Sequence, residues 1–217
     1  MKSFFLIPLT LALTLASCMQ APQGDRVAAD GTFVINEKTK GVALSVDTLN
    51  SHIEWLGTKP GGTHFGTVKL SGGTVYVDNG KVTGGTFTIN LKSIAVDDIK
   101  EEAMNKALVN HLLSPDFFLV DSFPNAEFQI AQVQLADEST STYSVSGNLT
   151  VRGTTKGITF TTEIKVDNNR VSVASPQFVI NRTHWNVNYG SQSVFANLKD
   201  NFIHDEIGLK VKLVAKN

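Results

Sequence analysis

Along most of this chain apolar residues fall on every second position, and that period limits what it can fold into. Phe87 and Ile89 alternate with Thr86, Thr88 and Asn90. Tyr143, Val145, Gly147, Leu149 and Val151 alternate with Ser144, Ser146, Asn148, Thr150 and Arg152. The same rhythm runs through Ile158, Phe160, Thr162, Ile164 and Val166, and through Ile207, Leu209, Val211 and Leu213. A period of two sends successive side chains to opposite faces of a strand, one dry and one wet. Antiparallel sheets tolerate that asymmetry, whereas parallel ones are covered on both faces. Turn residues punctuate the runs at Gly61-Gly62, Gly72-Gly73, Asp78-Asn79-Gly80, Gly84-Gly85, Asp137-Glu138-Ser139 and Asp167-Asn168-Asn169. Roughly eight such runs over some 175 residues predict a sandwich or an up-and-down barrel, and the length of the runs favours the barrel.

One stretch breaks the period. At 97–113, Asp98 with Glu101 three residues on reads as a capping box, and Pro115 follows the end. Met104, Ala107, Leu108, Val109 and Leu112 keep helical spacing. The expected fold is therefore all-β, an extended eight-stranded antiparallel barrel with one short helix near 97–113, lying across a mouth or on the wall.

The N-terminus carries a different message. Met1-Lys2-Ser3 leads into an apolar run from Phe4 to Ala16 that Pro8 interrupts. Its thirteen residues reach about 20 Å as a helix, short of a hydrocarbon core of roughly 30 Å, as expected of a secretory signal. The run ends Leu15-Ala16-Ser17-Cys18, which resembles a bacterial lipobox, with cleavage before the cysteine and a diacylglycerol on its thiol. The alternative is ordinary cleavage after a small residue, leaving Cys18 a free thiol. Residues 1–17 are thus expected to be a lipoprotein signal peptide and 18–41 a lipidated cysteine with a flexible tether. The run Thr32-Phe33-Val34-Ile35 is long enough to add an edge strand. Residues 42–217 form the barrel domain. The expected location is the cell envelope. Met19, in place of the aspartate that retains some lipoproteins at the inner membrane, favours the outer membrane, with the protein facing the periplasm or the cell surface.

Composition narrows the function classes. Nineteen Lys and Arg against 20 Asp and Glu give a net charge of −1 with no basic run, which argues against nucleic acid. A single cysteine excludes an intrachain disulfide and a Cys-based zinc knuckle. There is no HExxH, GxSxG or phosphate-cradling glycine loop. His52, His64, His111, His184 and His204 are scattered, and structural or surface roles suit them best. No catalytic residue, metal site or cofactor is expected.

Several motifs resemble the YceI-like family of lipocalin-type proteins. They include Ser51-His52-Ile53-Glu54-Trp55-Leu56-Gly57-Thr58-Lys59 with His64-Phe65-Gly66, then His111-Leu112 with Ser114-Pro115-Asp116-Phe117-Phe118. Phe123-Pro124-Asn125-Ala126-Glu127-Phe128 follows, and Gly147-Asn148-Leu149-Thr150-Val151-Arg152-Gly153-Thr154-Thr155-Lys156 is similar to a G-x-L-T-x-x-G-x-T-K segment. Asn181-Arg182-Thr183-His184-Trp185 with Tyr189-Gly190-Ser191 resembles the late arginine motif, with Trp185-Asn186 where many members carry Phe-Gly. The resemblance implies a lipocalin-like barrel, often dimeric, holding a polyisoprenoid chain in an apolar channel, without established catalytic residues. Such a ligand needs shape and apolar area rather than hydrogen bonds, and each five-carbon unit contributes at most roughly 3–4 kcal/mol. The expected lining is Phe65, Phe87, Ile89, Phe117, Phe118, Phe128, Phe160, Phe178 and Trp185. His64, Arg182 and Tyr189 are candidates for a polar head group, with Arg182 equally suited to bracing a turn. Expected partners are a long-chain apolar lipid, the membrane through Cys18 and a second copy in a homodimer. Two other readings stay open: a filled barrel serving as an envelope interaction module, and an enzyme on an apolar substrate.

Overall fold

The computed structural model describes residues 20–35 and 40–217. The signal segment and Cys18 lie outside the described residues. Among these residues the chain forms, in order, β1 (Asp25–Arg26), β2 (Val42–Val46), β3 (His52–Lys59), β4 (Gly62–Asp78), β5 (Lys81–Asn90) and β6 (Ala95–Val96). The helix α1 (Glu102–Leu113) leads to β7 (Asn125–Asp137), β8 (Thr142–Val151), β9 (Thr154–Asp167), β10 (Arg170–Ala174), β11 (Phe178–Asn181) and β12 (Glu206–Lys216).

Eight of these strands close a ring. β3 pairs with β4, then β5, β7, β8, β9, β10 and β12 follow, and β12 returns to β3, every pairing antiparallel. The strands are long: β4 has 17 residues, roughly 55 Å if straight. β2 sits beside β3 in the same gap between β12 and the far half of β4. The β4–β5, β7–β8 and β9–β10 hairpins turn at one end of the barrel. The other end carries the β3–β4 and β8–β9 hairpins and two long connections, 91–124 with α1 and 182–205, which cap it.

Turn chemistry explains the hairpins. Asn79-Gly80 and Arg152-Gly153 both take positive φ at both residues, the geometry a two-residue hairpin needs. Gly72-Gly73 and Gly84-Gly85, expected as turns, instead lie inside β4 and β5. Pairing runs through them with a register shift between Leu70 and Gly72, a bulge that helps the long strand bend. Their lack of side chains also makes room inside. A Cβ on Gly73 would sit 3.1 Å from the Phe87 ring, and one on Gly85 would do the same.

Two further expectations need correcting. The helix begins at Glu102, three residues later than a cap at Asp98 would start it, because Glu101 is its cap. The Glu101 carboxylate accepts from the N–H groups of Ala103 (3.0 Å) and Met104 (2.7 Å). Asp98 is engaged elsewhere. Residues 20–35, expected as part of a flexible tether, are built into the barrel wall. β10 leaves β9 after Glu163, so at the capped end the near edge of β9 faces β11 across a gap. The N-terminal segment fills it: β1 runs parallel to β11, and Gly157 of β9 donates its N–H to the Gly31 carbonyl at 2.8 Å. Ala29 is buried in the core there. Phe33 pairs in strand fashion with the Asn148 side chain, donating to Oδ1 (2.8 Å) and accepting from Nδ2 (2.9 Å). Its ring lies against Gly157, where a Cβ would come within 2.9 Å.

Candidate functional site

The inward faces of the ring strands enclose a cavity of about 110 Å³. Phe87 and Ile89 of β5, Phe128 and Ile130 of β7, Val145 and Leu149 of β8, and Ile158, Phe160 and Ile164 of β9 form much of its wall. Ile53, Leu70, Val75, Val82, Val171, Val173, Phe178, Leu209, Val211 and Leu213 complete the apolar lining. Thr162 is the polar side chain among them, and its hydroxyl donates to the Glu163 carbonyl at 3.3 Å. None of these lining side chains titrates.

A ladder of aromatic rings crosses the cavity. Phe87 and Phe128 stand 6.4 Å apart between centroids, Phe128 and Phe160 5.8 Å, and Phe160 and Phe178 4.6 Å. Spacings of 4.5–7 Å suit aromatic pairs, so the rings hold one another. Gly147 makes the ladder possible, since a Cβ there would lie 2.5 Å from Cζ of Phe128.

Of the expected lining residues, Phe87, Ile89, Phe128, Phe160 and Phe178 therefore share the cavity wall. Four others lie elsewhere. Phe65 points outward and is 47% exposed, because its β4 neighbours Gly66, Val68 and Leu70 take the inner face. Phe117 is buried in the cap, edge-on to His111 (5.0 Å) and tilted against Tyr189 (5.5 Å). Phe118 packs half-buried beside the core from the same loop. Trp185 is fully buried under the β8–β9 hairpin and donates its indole N–H to the Leu149 carbonyl at 2.9 Å.

The three head-group candidates gather at the capped end but do not line the cavity. His64 Nδ1 lies 2.8 Å from Oδ2 of Asp98, whose other oxygen accepts from the Phe65 N–H at 3.0 Å. Desolvation raises the Asp98 pKa, but these two bonds outweigh it and hold the carboxyl below its ordinary value. His111 Nε2 lies 3.1 Å from Asp116 Oδ2, so the cap carries two histidine–aspartate pairs. Tyr189 is exposed and stacks edge-on with His111 at 4.6 Å. Arg182 is 2% exposed and donates to the carbonyls of Val187 (2.6 Å), Ile203 (3.1 Å) and His204 (3.2 Å). Burial pulls its guanidinium below the ordinary value, opposed by Asp205 at 3.6 Å. It braces the 182–205 connection, and its donors are committed to that loop. Among the described residues no group of three His, Cys, Asp or Glu side chains is arranged to hold a metal.

A family model described as a YceI-like domain matches residues 44–215. The chain belongs to the YceI-like family. No curated protein matches it. Among solved structures it resembles BcnA of Burkholderia cenocepacia, with a TM-score of 0.63 at 21% identity over 79% of this chain and 99% of that one. It also resembles a polyisoprenoid binding domain from Saccharophagus degradans implicated in plant cell wall breakdown, with a TM-score of 0.58 at 13% identity over 82% and 99% of the two chains. A Campylobacter jejuni YceI protein follows, with a TM-score of 0.50 at 18% identity over 68% and 82%.

The YceI-like motifs now acquire structural reasons. Asn186 has φ +60°, a left-handed position that asparagine tolerates better than most residues. Gly147 clears space for Phe128, and Gly153 for Phe123, whose ring a Cβ would approach to 2.9 Å. The aliphatic wall of Val75, Val145, Ile164 and Leu213 is missing from an expectation built on aromatics. Plain strand parity within Tyr143–Val151, Ile158–Val166 and Ile207–Leu213 finds Val145, Ile164 and Leu213, whereas Val75 lies past the register shift between Leu70 and Gly72, where parity along β4 breaks.

Proposed function

We propose that this protein binds a polyisoprenoid or a similar long apolar lipid inside its barrel, while held at the cell envelope by a lipid on Cys18. The observation that carries the reading is the composition of the cavity wall, which is apolar but for one internally bonded threonine and has no titratable side chain. Such a wall selects by shape and dryness. Membership of the YceI-like family and likeness in fold to a polyisoprenoid binding domain point the same way.

The cavity's size adds a condition. At about 110 Å³ it is smaller than an engineered cavity of about 150 Å³ that admits benzene, and well below the roughly 300–1,000 Å³ of ordinary ligand sites. A long chain therefore enters by turning the rings of Phe87, Phe128, Phe160 and Phe178 along the channel. The protein would then act as a carrier, store or sequestering protein rather than as an enzyme. The outer membrane and a homodimer belong to the same proposal.

The test is organic extraction and mass spectrometry of protein purified without detergent. A stoichiometric long-chain isoprenoid supports the reading. An empty extract, repeated after mixing with polyprenyl lipids, favours a filled barrel acting as an interaction module, a reading to which the small cavity lends weight. Phe160→Asp should abolish retention while leaving the β-signal in circular dichroism.

A further inference from the structure

We infer that the outer face of β3, β4 and β12 at the capped end is a docking surface for the bilayer that carries the Cys18 lipid. The inference rests on the lipid-anchor reading above. An open groove of about 460 Å³ crosses this face, lined by Leu56, Phe65, Gly208 and Gln177, with Glu54 and Lys210 at its edge. Gly208, Leu56 and Phe65 are neighbours across three strands, which sets Phe65 about 10 Å from Gly208. Phe65 is 47% exposed there, and Lys210 stands at the rim with Glu54 and Asp97, a mixture of ring, aliphatic and charge that suits a headgroup boundary.

The short linkage says what covers this face. Pro22 is buried, and its Cβ would lie 3.3 Å from a Cβ on Gly208. Gln177 donates its side-chain N–H to the Gln23 carbonyl. From Gly24 to Phe33 the chain is then tied to β11, β9 and β8. Four residue steps separate Cys18 from Pro22, a Cα span of at most about 14 Å. The groove thus stays within reach of the anchored glycerol, whereas β7, four strands round the ring from β12, lies across the barrel and is farther by a diameter of roughly 15 Å. A protein tied this closely cannot turn its β3–β4–β12 face away from the membrane. The groove floor and the β3–β4 end of the cap, with His64, would then sit against the lipid from which a ligand is drawn.

The test uses the full chain, made and lipidated in a bacterium and reconstituted into phosphatidylethanolamine–phosphatidylglycerol vesicles. Cys18 is the single cysteine, so once acylated it leaves an introduced thiol uniquely labelled. Phe65→Cys and, on the opposite wall, Gln129→Cys of β7 receive an environment-sensitive fluorophore, and lipid-borne quenchers report depth. The expected result is several-fold stronger quenching at 65 than at 129. Inserting about twelve Gly and Ser residues after Met19, with a coil span of roughly 20 Å, should erase the difference while flotation persists. Equal quenching at both sites in protein that floats overturns the docking face alone. Protein that does not float overturns the anchor and the docking face together. A label at 65 shielded without quenching, in a protein that sediments as a dimer, assigns the face to a second copy and overturns the inference.

Discussion

At the scale of single residues, small side chains set what the larger ones can do. Gly147→Ala places a Cβ against the Gln129 carbonyl and 2.5 Å from the Phe128 ring. The backbone oxygen cannot yield, so the ring moves into the cavity. The expected cost is about 1–3 kcal/mol, measured by urea denaturation, together with weaker lipid retention. Arg182→Met tests the bracing role. It strips three carbonyls of their donor and leaves Asp205 without its cation, an expected loss of about 3–5 kcal/mol with Arg182→Lys unable to restore the fork. Unchanged melting with lost lipid binding would instead make Arg182 a head-group ligand. Asp98 gives a pH signature. Its folded pKa is lowered, so its stabilisation is present above the ordinary carboxylate range and is lost as pH falls below that range towards the folded value. The stability gap between wild type and Asp98→Asn should therefore be open at neutral pH and close in acid, as thermal melts across that range would reveal.

Among elements, the N-terminal segment matters most. It occupies a strand position that β10 vacates, yet it is held by few bonds, and Asn148 supplies two of them. Asn148→Ala should expose residues 20–35 to protease several-fold faster and lower stability by about 1 kcal/mol. Equal cleavage in both proteins would mean that β1 and Ala29 hold the segment without Phe33. The helix shows the same economy. Glu101 caps it, which frees Asp98 to join the cap to β4 through His64 and the Phe65 N–H.

For the whole molecule, a closed ring leaves little edge for unwanted pairing, and its inner face leaves one use for its space. If that use is lipid binding, ligand must stabilise the fold. A polyprenyl lipid at about 100 times its Kd adds about 2.7 kcal/mol, a rise in Tm of roughly 5–11 °C for a domain of this size. A melting curve unmoved by any long-chain lipid would favour the filled barrel.

How far residues alone carry this protein depends on how local the cause is. Alternation over Tyr143–Val151 or Ile207–Leu213 reports burial directly, because neighbouring side chains on a strand have no choice but opposite faces. Strand type, the barrel, the helix and five of the cavity residues were legible for that reason, and the family motifs agreed. Aromatic character by itself misled at Phe65, Phe117, Phe118 and Trp185, since an apolar ring is equally content in a cap, under a hairpin or in an outer groove. Only tertiary structure decided those places. It also turned Gly72-Gly73 from a turn into a bulge, gave Arg182 to three carbonyls and made a presumed tether part of the wall. Each of these depends on which distant strand lies alongside, and that is set by ring closure rather than by any local pattern.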